Sequence, residues 1–269
     1  MTEADSPMES RSIELEVEVV GTPEEVWTAI ATARGISSWY VPHTIDEREG
    51  GAATASFGPG PEMQIPGRVV AWDPPHRIVF DGGTTGEGLA FEWLVEAQAG
   101  GTCIVRLVNS GFGIGDEWDD QFDAMTDGWG LFLRNLQLHC AHFAGEGATS
   151  MLPMAMWSGT ADSVWERLTA ALGLPLVAMV GEHIAVTAPD APSWAGTVVD
   201  ASPGRLAVLL EEPCRGTGFI AAEASGPAFG VSIWSYLYGP DQRNIAEHDE
   251  PRWFHWLANH AAPVTEGSD

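Results

Sequence analysis

The sequence predicts an α+β fold: a curved antiparallel sheet gripping one long C-terminal amphipathic helix, in tandem with a second, shorter and diverged copy. Three observations predict it. Strand-length apolar runs divided by turn residues fill the chain up to Asn109. The hydrophobic period then lengthens, at Trp118, from two residues to three or four. Finally, landmarks of the first half recur in the second half in the same order.

Taken in order, Ile13-Glu14-Leu15-Glu16-Val17-Glu18-Val19 alternates without a fault, apolar residues to one face and Glu to the other, as a strand with one wet face requires. Gly21 breaks it, and Thr22-Pro23-Glu24-Glu25 starts a helix, with Thr as N-cap, Pro at N1 and Glu at N3 closing a capping box. Val26, Trp27 and Ile30 give that helix its apolar face, Gly35 is expected to end it, and Ile36 to Tyr40 to add a short helical turn. Strands are expected near His43–Glu47, Ala53–Phe57, Gln64–Trp72, Arg77–Phe80, Leu89–Ala97 and Cys103–Asn109. The breakers between them are Gly50-Gly51, Gly58-Pro59-Gly60-Pro61, Asp73-Pro74-Pro75, Asp81-Gly82-Gly83 and Gly100-Gly101. Trp118, Phe122, Met125, Trp129, Phe132, Leu133, Leu136, Cys140 and Phe143 then mark one face of a long helix, stopped by Gly145-Glu146-Gly147.

The repeat is visible in short matches. Gly21-Thr22-Pro23-Glu24-Glu25-Val26-Trp27 returns as Gly159-Thr160-Ala161-Asp162-Ser163-Val164-Trp165, and Gly67-Arg68-Val69-Val70 as Gly196-Thr197-Val198-Val199. Glu96-Ala97 before a glycine turn returns as Glu223-Ala224 before Gly226, and Trp129 to Leu136 has a weaker echo in Trp253 to Leu257. The reading is two domains, 12–145 and 150–263, with Met151 to Trp157 as the first strand of the second and Pro251 to Ala262 as its short closing helix.

Composition narrows the function classes. The 269 residues carry 38 acidic and 12 basic side chains, a formal net charge of -26, and every basic residue is Arg. Such a chain repels phosphate backbones and anionic lipid, so neither nucleic acid nor membrane is an expected partner. Lysine chemistry is excluded for want of the residue. Cys103, Cys140 and Cys214 are odd in number and widely spaced, which reads as free thiols rather than a disulfide frame or zinc ribbon. Met1-Thr2-Glu3-Ala4-Asp5-Ser6-Pro7 lacks the basic flank and apolar stretch of a signal peptide, and the expected location is cytoplasmic.

The first half resembles the bacterial relatives of the C-terminal domain of the Hsp90 ATPase activator, a family within the Bet v 1-like, START-type helix-grip superfamily. The residues that carry the resemblance are Thr22 to Trp27, Ile36-Ser37-Ser38-Trp39-Tyr40, Gly67 to Phe80, Gly101-Thr102-Cys103, Asn109-Ser110-Gly111-Phe112 and Asp127 to Leu136. It spans roughly residues 12–144. It implies a helix-grip fold, and a superfamily that holds carriers, sensors, enzymes and co-chaperones on one scaffold. The second half lacks the Trp39-Tyr40 pair and the early glycine-rich hairpin, which suggests a structural or dimerising role, with a homodimer as the oligomer to consider.

A bent sheet around one helix leaves a hollow, and Trp39, Tyr40, Phe57, Met63, Phe80, Phe91, Trp93, Phe112, Met125, Trp129 and Phe132 are the residues expected to line it. That set suits a small hydrophobic ligand, bound for carriage, sensing or sequestration. No catalytic residue, metal or cofactor is expected. The acidic run Asp116, Glu117, Asp119, Asp120, Asp123 and Asp127 reads as helix-dipole complement and solvated face. His139-Cys140-Ala141-His142 has no distant partners to complete a tetrahedral set, and His255 and His260 read as surface or interface residues. Arg68, Arg77 and Arg106 read as outward partners for carboxylates. Two alternatives remain: a polyketide cyclase-like enzyme in which an inward Tyr40, His43 or Arg106 polarises a carbonyl, and a protein-binding, co-chaperone-like adaptor with exposed tryptophans.

Overall fold

The computed structural model of the chain describes residues 11–58, 60–82, 89–113, 116–225 and 228–261. Met1 to Pro7, Pro59, Gly83, Gly226, Ala262 and the side chains of Asp116, Glu117 and Asp120 lie outside the described residues. The chain divides into two compact units, Met1–Glu146 and Gly147–Asp269.

In the first unit, β1 (Arg11–Val20) leads through α1 (Pro23–Ala31) and α2 (Ala33–Ile36) to β2 (His43–Ile45), β3 (Ala52–Ser56), β4 (Gln64–Asp73), β5 (Arg77–Asp81), β6 (Ala90–Gln98) and β7 (Thr102–Phe112). Helix α3 (Asp116–His142) follows. The sheet order is β1-β7-β6-β5-β4-β3-β2 and every pairing is antiparallel. The alternation in β1 has its expected effect. Ile13 and Val19 are buried opposite Asn109 and Cys103, while Glu14, Glu16 and Glu18 are exposed. A register shift between Val69 and Ala71 leaves Val70 as a bulge in β4, and a bulge bends its strand. Trp129, Phe132, Leu133, Leu136 and Cys140 of α3 are buried, as is Phe143 just past its end.

The capping box at α1 forms as expected: Thr22 Oγ1 accepts from the Glu25 N–H at 3.3 Å, and Glu25 Oε2 accepts from the Thr22 N–H at 2.8 Å. Gly35 does not end that helix. Thr32 does, and its hydroxyl caps α2 by accepting from the Gly35 N–H at 3.0 Å. The glycine serves close approach instead, since a Cβ there would lie 2.0 Å from the Thr28 carbonyl oxygen.

In the second unit, β8 (Thr149–Met151) and β9 (Met154–Trp157) precede α4 (Ala161–Leu172), then β10 (His183–Ala185), β11 (Ala195–Ser202), β12 (Arg205–Glu212), β13 (Gly216–Ser225), β14 (Ala228–Leu237) and α5 (Gln242–His260). The order is β10-β11-β12-β13-β14-β8, with β9 also on β14. The first strand expected from Met151 to Trp157 is therefore two strands. Pro153, which has no N–H to give the ladder, sits at the break. The path otherwise repeats that of the first unit: opening strand, helix, and strands in sequence until the last pairs with the first. Its core packs Trp157, Trp194, Trp253 and Trp256 with Val164, Leu168, Leu172 and Leu257. Among the described residues no helix is long and apolar enough to cross a membrane.

Candidate functional site

A cavity of about 280 Å³ lies in the first unit between β2–β6 and the first half of α3. It exists because the inward positions on one side are small. Ala53 of β3 stands opposite Gly67 of β4, and Ala55 stands opposite Ile65. Aromatic side chains form the other walls: Phe80 of β5 opposite Phe91 of β6, then Trp93, and Trp129 with Met125 from α3. Tyr40, held by the turn after α2, closes one end, its ring 4.9 Å from that of Trp129 and 6.1 Å from that of Phe57.

The walls are pinned by hydrogen bonds from behind. Trp129 Nε1 donates to Asn109 Oδ1 at 3.2 Å, and Asn109 Nδ2 donates to the Ala90 carbonyl at 3.1 Å. Asn135 of α3 donates to the Trp39 carbonyl at 2.8 Å, fixing the segment that carries Tyr40. Asn109, Asn135, Trp39 and Trp129 are buried, so these bonds are expensive to lose.

Tyr40, Phe57, Phe80, Phe91, Trp93, Met125 and Trp129 line the cavity; Trp39, Met63, Phe112 and Phe132 do not. Trp39 is fully buried one layer back, with Nε1 donating to the Ala29 carbonyl at 2.8 Å and its ring edge-on to Trp93. Phe132 packs edge-on to Tyr40 at 4.4 Å, and Phe112, at the end of β7, packs against Phe122 at 5.2 Å. Met63 sits in a single 3-10 turn, Pro61–Met63, and is 37% exposed. Sequence reasoning missed Ile36, Ala53, Ala55, Ile65, Leu89 and Gln121 as wall residues. The signal for the alanines was available: Ala53, Ala55 and Phe57 share one strand face, and small residues at inward positions make room.

Polar groups in the wall are few. His43 Nδ1 is 2.7 Å from the Val41 carbonyl, which can only accept, so Nδ1 carries the proton and Nε2 is a lone-pair acceptor. Burial lowers the His43 pKa to about 4, partly offset by that hydrogen bond, and burial also raises the Tyr40 phenol. Both side chains are therefore neutral at pH 7. Asp81 is engaged from outside by Arg68, through Nε at 3.1 Å and Nη2 at 2.9 Å.

The remaining candidates fall elsewhere. Arg77 pairs with Glu92 and Arg106 with Glu16 on the exposed side of the sheet, so Arg106 does not point inward. His139 is buried and lowered to about 4, while His142, on the same helix end, is exposed. Burial pushes the Cys140 thiol up to about 12, and the three cysteines are free. His255 Nε2 accepts from Asn259 Nδ2 within α5 at 2.8 Å, and His260 stacks on Trp256 at 4.0 Å.

Three solved structures illustrate the likeness. A solution structure of Bacillus halodurans protein BH1534 is 22% identical with a TM-score of 0.43, covering 48% of this chain and 96% of that one. The di-domain ARO/CYC BexL from the BE-7585A biosynthetic pathway is 16% identical with a TM-score of 0.43, covering 96% of this chain and 100% of that one. The Aha1 dimer from Colwellia psychrerythraea is 17% identical with a TM-score of 0.41, covering 48% of this chain and 96% of that one. Among curated proteins none matches the sequence. The family model for Activator of Hsp90 ATPase homolog 1-like protein matches residues 21–140, the stretch that runs from the α1 cap to the end of α3. Residues 21–140 are thus similar to an Activator of Hsp90 ATPase homolog 1-like domain, here of α+β type, and a second unit of similar path follows in the same chain.

Proposed function

We propose that the first unit binds a small hydrophobic molecule in the cavity between its sheet and α3, as a carrier, sensor or sequestering protein. One observation supports this above the others: an apolar, aromatic-walled space of about 280 Å³ between the sheet and α3. Protein interiors ordinarily close such space, because unfilled volume forfeits packing. An engineered apolar cavity of about 150 Å³ is enough to take benzene. The space here has room for a larger ring system.

The cyclase-like reading is less favoured. Tyr40 and His43 both line the cavity, but burial holds His43 near 4, so it stays neutral and offers no positive charge to polarise a carbonyl. Arg106, a second candidate for polarising a carbonyl, is paired outside with Glu16. The adaptor reading asked for exposed tryptophan, and the exposed large apolar side chains among the described residues are Val, Ile, Leu, Met and Phe.

Native mass spectrometry of the freshly purified chain tests the proposal. A co-purifying small molecule, displaced when the protein is unfolded, is the expected result. A ligand-free protein that also refuses apolar aromatic probes at their solubility limit would count against it.

A further inference from the structure

Besides Thr54 and Gln121, the cavity wall carries two ring side chains, adjacent to one another, whose hydrogen-bonding capacity is unspent. Among the described residues the Tyr40 hydroxyl has no partner, and His43 uses Nδ1 but not Nε2. Both side chains line the cavity, with ring centroids 5.4 Å apart. Tyr40 is buried and His43 half-buried, neither atom is sealed off by packing, and both side chains border the cavity.

Resting on the apolar-cavity reading above, we propose that the ligand is an uncharged aromatic molecule of about two fused rings that carries a hydroxyl, donating to His43 Nε2 and accepting from the Tyr40 hydroxyl. The size follows from the volume, nearly double the ~150 Å³ that accommodates one benzene ring. The aromatic character follows from the walls, where Trp129, Trp93, Phe91 and Phe80 offer faces and edges to a flat guest. The hydroxyl follows from complementarity: one acceptor and one donor in a low-dielectric space reward a group that is both.

Charge is selected against in both signs. An anion entering the cavity meets no unspent cation, since Arg68 is committed to Asp81 from outside and is not part of the wall. A cation has aromatic faces to sit on, but the carboxylate that would neutralise it is already bound to Arg68. Stripping water from an ion without a fixed counter-charge is costly, whereas a neutral hydroxyl exchanges its water bonds for two protein bonds.

The test is equilibrium dialysis of the full chain at pH 7.5 against naphthalene, 2-naphthol, 2-naphthoate and 2-naphthyltrimethylammonium. These probes share one ring system and differ in the polar group. The expected result is that 2-naphthol binds about five- to tenfold more tightly than naphthalene, the gain of one or two neutral hydrogen bonds. Both ionic probes should bind at least tenfold more weakly than 2-naphthol. In Tyr40→Phe and in His43→Phe the ratio of 2-naphthol to naphthalene affinity should shrink to about twofold, naphthalene being measured on each variant as its own reference. Naphthalene thus reports whether each variant keeps its cavity. The proposal is overturned if either ionic probe equals 2-naphthol, or if the 2-naphthol advantage survives both substitutions. Failure of all four probes to bind overturns instead the apolar-cavity reading on which it rests, and the two failures are told apart by naphthalene alone.

Discussion

Ala53 decides whether the first unit is hollow. It is 6% exposed, faces the cavity, and stands opposite a glycine. Ala53→Leu places three more carbons in open space rather than in packed protein, so the usual overpacking penalty of about 1–3 kcal/mol should not be met. The expected outcome is a loss of more than tenfold in affinity for 2-naphthol, with the urea midpoint unchanged or raised. A variant that binds normally would place the ligand elsewhere. His43 and His139 make a second prediction at this scale. Both imidazoles are lowered by burial from 6.5 to about 4 in the folded state. His43 faces Tyr40 and Phe80, and Glu25 shares a small cavity with His139. Above pH 6.5 folded and unfolded chains both hold these rings neutral. Between 6.5 and 4 the unfolded chain takes up protons that the folded chain refuses, so stability falls as pH falls through that window. Urea unfolding at pH 7.5, 6, 5 and 4.5 measures the slope, and His43→Gln with His139→Gln should flatten it relative to the parent. An unchanged slope would mean that neither ring is kept neutral by the fold.

At the scale of elements, the same start signal is used twice. Thr22 with Glu25 caps α1, and Thr160 with Ser163 caps α4, each through reciprocal backbone and side-chain bonds. Thr22→Ala or Thr160→Ala removes one acceptor from a helix N-terminus and should cost about 1 kcal/mol in urea unfolding. Glycine at either position should cost only a few tenths. These caps were legible in the sequence because capping is local chemistry at fixed spacing. So were the strands, because one wet face imposes a period of two, and α3, whose apolar face runs from Trp118 to Phe143. What local pattern did not reveal was decided at a distance. Gly35 reads as a stop, yet its role is to let α2 approach the Thr28 carbonyl. Trp39 and Phe132 read as cavity wall because they are aromatic and inward, but a layer of Tyr40 and Trp93 stands between them and the space. Composition gives the inventory of a core; only packing assigns its depth.

For the whole molecule the question is what a second copy of the fold contributes once its cavity elements are gone. The first unit carries β2 and β3, which supply the small inward residues of the cavity. The second unit has no counterpart of both these strands. Its sheet begins with β10, a three-residue strand, and buried Trp157, Trp253 and Trp256 occupy its core beside α5. Trp157 Nε1 donates to the Leu257 carbonyl at 3.1 Å, tying the opening strand to the closing helix without intervening space. Each unit thus has its own sheet and its own apolar core, and each exceeds the length of about 60 residues at which domains become marginal. Residues 11–146 expressed alone should therefore unfold cooperatively in urea and keep the 2-naphthol affinity of the full chain within about threefold, a difference of about 0.7 kcal/mol. Residues 147–261 alone should also unfold cooperatively but bind 2-naphthol at least tenfold more weakly. If affinity instead disappears from the first fragment while its unfolding remains cooperative, the second unit is part of the binding machinery, and the assignment of binding to the first unit alone is wrong.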